Sequence, residues 1–208
     1  MRRGAIPGGA IFVLAACTSI HVGEPAKLTE RDLNEVQAVL KRDFHARGIA
    51  TMARIEPDSV QTTCNLHHDN PPAEVARPIE EAQLKAIRFP AGGLMGDWRR
   101  GQKIAESGIG MQWTDTPGSP SGGSCYNCHQ LSPQEQSFGT VGPSLLAFGK
   151  ARGSGAEMQR YVYGKIYNAK AYNLCSQMPR FGVSGTLNAQ QIKDLVGLLL
   201  DPASPVNQ

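Results

Sequence analysis

The sequence predicts a mainly α protein, in which an N-terminal, partly helical extension precedes a helical domain. Three observations predict it. Apolar residues recur at helical spacing in separate stretches, several of them opened by a side chain able to cap a helix. Pro90-Ala91-Gly92-Gly93 interrupts that pattern and reads as a linker. Further on, Cys125-Tyr126-Asn127-Cys128-His129 forms a C-x-x-C-H pentapeptide, which reads as the covalent attachment site of a c-type haem.

Taken in order, Met1-Arg2-Arg3 is a basic start and Ala10 to Ala16 a short apolar core, so residues 1–16 read as a signal peptide for export. That stretch is too short to span a bilayer. Leu14-Ala15-Ala16-Cys17 resembles a bacterial lipobox, which would make Cys17 a lipidated first residue and a lipid anchor on the periplasmic side. The extension then covers 17–92 and the second domain 93–208. In the extension, Thr29 to Asp32 resembles a capping box, and Leu33, Val36, Leu40 and Phe44 define one amphipathic helix stopped by Gly48. Residues 49–70 read as short turn segments around Pro57. Pro78 suits the first turn of a second helix running to about Arg88.

In the second domain, Asp97 can cap a helix from Trp98 to about Ser107, and residues 116–124 are Gly, Pro and Ser loop. Ser154 with Glu157 suggests a capping box for a helix whose buried stripe is Met158, Tyr161, Val162 and Ile166. The last helix is the best specified: Asn188 caps it, Gln191 answers, and Pro202 follows its end. Gly197 in its interior costs helix stability, which predicts close approach of another helix at Gly101.

The chemistry lies in the pentapeptide. Two thiols three positions apart can add to the two vinyl groups of one porphyrin, and the next residue presents its imidazole to the iron. A zinc ribbon would want a second close Cys pair, and a redox dithiol would sit in a βαβ pattern; neither context is present. Cys125 and Cys128 are thus the expected anchors of one covalent haem c and His129 the first metal ligand. Met178 is the expected second, because it lies in an irregular stretch before Pro179, whereas Met158 falls on a helix stripe and suits core packing. His/Met ligation raises the potential and suits electron transfer, and no catalytic residue is expected in this chain.

Of five cysteines, Cys64 and Cys175 remain, and in an oxidising compartment they suggest one disulfide. His67 and His68 near Cys64 read as loop histidines rather than a metal cluster. Lys and Arg number 21 against 18 Asp and Glu, a net charge of +3, which argues against a nucleic-acid partner and permits weak steering toward an acidic surface.

The order Gly96 to Gly101, C-x-x-C-H, Gly139-Thr140-Val141-Gly142-Pro143-Ser144-Leu145, Met178-Pro179-Arg180-Phe181-Gly182 and a closing Ile192 to Val196 helix resembles class I cytochromes c. It is more closely similar to the SoxX family, the monohaem subunits of SoxAX complexes in bacterial thiosulfate oxidation. The resemblance covers about the second half of the chain and implies a class I cytochrome c haem domain. It implies that the Pro143 carbonyl takes the second ring proton of His129. It further implies a heterodimer with a SoxA-like cytochrome, a SoxYZ-like carrier protein whose cysteine receives thiosulfate, and a downstream electron acceptor. The chain would then belong to an L-cysteine S-thiosulfotransferase as its electron-transfer subunit, inactive alone. A free-standing periplasmic electron carrier and a haem sensor are the competing readings; the long extension speaks against the first and Met178 against the second.

Overall fold

Thr29 and Asp32 satisfy each other's backbone at the start of α1 (Glu30–Asp43), the reciprocal box read from the sequence. The computed structural model describes residues 29–208, so the signal peptide and Cys17 lie outside the described residues. Helix α1 ends before Phe44, which is extended and exposed rather than part of a helical stripe, and no α1 residue is buried. Gln37 ties α1 to the carbonyl of Ile55 in a 3-10 turn at Met52–Ile55.

Two expectations for the extension need correction. Residues 49–70 are not all turns, because Asp58 and Gln61 form a second capping box that opens α2 (Ser59–Leu66). Pro78 does not open a helix: α3 (Ala73–Lys85) starts after Pro72 and carries Pro78 in its interior. Pro78 forfeits the hydrogen bond to the Glu74 carbonyl, at an exposed position of the helix. A disulfide joins Cys64 of α2 to Cys175, 111 positions on, as the cysteine count suggested. Cys64 is therefore unavailable to a metal cluster with His67 and His68.

Asp97 caps α4 (Trp98–Glu106), its carboxylate accepting from the Arg99 N–H. After a long loop come α5 (Phe148–Arg152), α6 (Ala156–Tyr167) and α7 (Ala189–Leu200). The Ser154 capping box is not formed; Gly155 stands at the cap, and the Ser154 carbonyl instead accepts from Gln159. The α6 stripe is also shifted, with Tyr163 fully buried and Tyr161 exposed. Asn188 and Gln191 cap α7 as read, and every residue from Asp194 to Leu200 is buried. Past α7, the buried Asn207 donates to the carbonyls of Leu199 and Asp201 while its side-chain oxygen accepts from Gly149 and Lys150, joining the end of α7 to the start of α5. The mainly α expectation holds: among the described residues there is no strand, only an isolated bridge between Arg47 and Ala50.

The core is built where α6 and α4 pack on α7, with Val162, Tyr163 and Ile166 meeting Ile192, Val196 and Leu199. The crossing of α4 and α7 brings backbone against backbone. A Cβ on Gly101 would lie 2.1 Å from the Asp194 carbonyl oxygen, and one on Gly197 would lie 2.5 Å from the Gly96 carbonyl oxygen. The predicted close approach is real, but the two glycines do not meet each other: Gly101 meets α7 at Asp194, and Gly197 meets Gly96 and the Trp98 N–H at the entry to α4. The Asp194 carboxylate sits at this crossing and accepts from Arg100 through two nitrogens at 2.8 and 2.9 Å, from the Asp97 N–H and from Gln190.

Two outcomes follow from that crossing. Gly197→Ala should gain about 1 kcal/mol in helix propensity yet lose about 1–3 kcal/mol by forcing the helices apart, so thermal denaturation should show a net loss. Burial raises the Asp194 carboxyl, but its hydrogen bonds to Arg100, Asp97 and Gln190 outweigh this and hold it below the ordinary carboxylate value. A depressed folded pKa stabilises above about pH 4 and stops doing so as pH falls through it. Asp194→Asn should therefore cost about 2 kcal/mol at neutral pH, with urea midpoints converging on wild type as pH falls below the ordinary carboxylate range.

Candidate functional site

Ser124, left-handed at φ 46°, turns the loop into a 3-10 turn at Cys125–Asn127. The turn closes with the N–H groups of Cys128 and His129 both donating to the Cys125 carbonyl, at 3.1 and 2.9 Å. Neither Cys125 nor Cys128 is in a disulfide, and the pentapeptide is organised by this one tight turn. Burial pushes the Cys125 thiol up to about 12, the opposite of the lowered value that marks a reactive dithiol.

Residues 139–145 wrap this turn with three backbone bonds: Gly139 N–H to Tyr126, Gly142 N–H to Cys128, and Leu145 N–H to Gln130. The wrap delivers the Pro143 carbonyl to His129 Nδ1 at 2.7 Å, the contact that the family resemblance implied. Nδ1 must be the protonated nitrogen there, since a carbonyl only accepts, and Nε2 keeps the free lone pair. The ring also lies against the backbone of Gly142, where a Cβ would come within 2.2 Å of the imidazole. The glycine is therefore a positioning element that pattern reading alone left without a role.

Met178 stands in an irregular segment, as expected, with its N–H directed to the Ser176 hydroxyl at 3.3 Å. Its neighbours are fixed from two sides. Phe181 and Gly182 are held to the domain through Leu187 and Tyr167, while Arg180 pairs with Asp58 of the extension at 2.6 Å. Sequence reading missed Asp58; the signal that could have found it is the D-x-x-Q capping pattern with Gln61.

Cys125, His129 and Met178 line one cavity of about 380 Å³, counting its open mouth. The rest of its wall is apolar, contributed by Leu131, Phe181 and residues of α4, α6 and α7 such as Ala105, Ile166 and Leu195. Met158 is absent from this lining and packs against the core, the part given to it by its helical spacing. A thiol, an imidazole and a thioether around an apolar space, with the second thiol of Cys128 on the same turn, can hold a metal porphyrin. Among the described residues that line it, none is a carboxylate, lysine or hydroxyl group.

The chain matches no protein-family model. It is 36% identical over 139 residues to a protein of Aquifex aeolicus (strain VF5) named as an uncharacterized lipoprotein, an alignment covering 65% of this chain and 64% of that one. Among solved structures it is similar to the crystal structure of SoxXA from P. pantotrophus, at 26% identity, covering 57% of this chain and 90% of that chain. The TM-score is 0.39, too low to establish a shared fold. No helix among the described residues is long and apolar enough to cross a membrane.

If Met178 ligates iron, the oxidised protein should show a sulfur-to-iron charge-transfer band at the red end of its spectrum. Met178→Ala should abolish the band and Met158→Ala should leave it in place.

Proposed function

We propose that this chain is a monohaem c-type cytochrome that transfers electrons as one subunit of a sulfur-oxidising complex. The observation that carries the reading is the convergence of Cys125, His129 and Met178 on one apolar cavity, with the His129 tautomer set by Pro143. A bound haem supplies a one-electron iron couple. Cys125 and Cys128 tether it through their thiols, His129 offers Nε2, Met178 offers its thioether, and the apolar wall keeps water from that space. The hydrogen bond to Pro143 orients the imidazole and raises its basicity. With His129 committed to iron and no carboxylate, lysine or hydroxyl group among the described lining residues, such a site is suited to carry an electron rather than to make a sulfur bond.

In this reading residues 93–208 are the haem domain, residues 17–92 are an extension, and residues 1–16 direct export to the periplasm. Lipidation at Cys17 is supported by the lipobox pattern and by the name of the Aquifex relative. The motifs shared with the SoxX family support a SoxA-like partner cytochrome and a SoxYZ-like carrier. Thiosulfate would be coupled to the carrier cysteine on the partner, and this chain would receive the released electrons and pass them to an acceptor.

The assay should be asymmetric. Purified alone, the protein should be reducible by dithionite and inactive in coupling thiosulfate to a carrier thiol, with activity appearing only when the partner is added. Coupling by the single chain would refute the division of labour. Elution as a monomer from native extract would favour a free-standing carrier.

A further inference from the structure

The long-range hydrogen bonds and the disulfide that hold residues 174–177 come from α2, α3 and the turn between them. The Leu174 N–H donates to Glu80 Oε1 at 2.8 Å, Cys175 is bonded to Cys64, and Gln177 donates to Asp69 at 3.2 Å. Just beyond Met178, Arg180 pairs with Asp58 at 2.6 Å. Four attachments thus fall within four residues of Met178, on both sides of it. Apart from these, the segment makes only short-range bonds within itself before Phe181 rejoins the domain. The attachments surround an apolar cluster of Val60, Cys64, Leu174 and Cys175, backed by Ala76 and Ile79, which is separate from the main core.

We infer that α2 and α3 are a brace for the second iron ligand, with Asp58, Cys64 and Glu80 as positioning residues that restrain the segment carrying Met178. The inference rests on the haem reading above and gives the extension a role that partner binding does not require. Its physical basis is local opening: a thioether leaves a metal only if its loop moves, and each attachment that must break first makes that opening rarer. The satellite position of the cluster means that loosening it opens the loop without dismantling the helices around α7.

The test uses the ferric holoprotein and added imidazole, which binds iron only when Met178 has left, so its apparent affinity reports the open population. Asp58→Ala should tighten imidazole binding about two- to fivefold, with Asp58→Glu partly restoring wild-type behaviour. Cys64→Ser/Cys175→Ser should tighten it about tenfold or more. Arg31→Ala, which breaks an exposed pair on α1, should do nothing. Amide exchange in Asp58→Ala should accelerate over 173–183 and stay unchanged over 189–200. Wild-type imidazole affinity in both Asp58→Ala and the double serine variant overturns the brace. A wild type lacking the sulfur-to-iron band, with imidazole affinity equal to that of Met178→Ala, overturns the ligand assignment instead, and the brace falls with it.

Discussion

Where α4 crosses α7, two helix backbones touch through positions that have no side chain to separate them. Gly101 admits the Asp194 carbonyl and Gly197 admits the Gly96 carbonyl, and Asp194 fills the remaining polar demand by accepting from Arg100, Asp97 and Gln190. The consequence reaches the cavity. With the helices this close, Ala105 of α4 and Leu195, Leu198 and Leu199 of α7 stand in one wall, and Ile166 of α6 completes it. Larger residues at the two glycines would push that wall apart, and at Gly101 would press directly on Leu198, which lines it.

The candidate ligands themselves lie on irregular backbone, and each irregular segment is restrained by a different device. The Cys125 turn is wrapped by 139–145 through backbone hydrogen bonds, which also place a carbonyl on His129. The Met178 segment has no such wrap. It depends on side chains and a disulfide from α2 and α3, and on the return of Phe181 to the core. One half of the site is therefore local in sequence, and the other is assembled across more than a hundred residues.

Several elements were legible because their signals are local. The capping boxes at Thr29 and Asn188 bond residues three apart, and the apolar period of α7 survives because nearly all of it is buried. Errors arose where context overrode such signals. Pro78 suits a helix start by residue type, yet α3 begins directly after Pro72, and an exposed helix tolerates one missing hydrogen bond. Ser154 lost its cap to Gly155, and the buried face of α6 turned to Tyr163 because the ring of Phe89 packs there, 5.5 Å away between centroids.

By itself, the sequence determined the helical character of the chain, the Cys125-to-His129 turn and the singling out of Met178, since each depends on residue type and spacing within a few positions. It also paired Cys64 with Cys175 by cysteine count, as the structure has them. Only the tertiary structure decided that Met178 and His129 share one cavity and that the extension grips the Met178 segment through Asp58, Cys64 and Glu80. It likewise decided that Gly142 lies under the imidazole. These are contacts between residues far apart in the chain, or distances of an ångström or two between backbones, and neither leaves a period or a motif for a linear reading to detect.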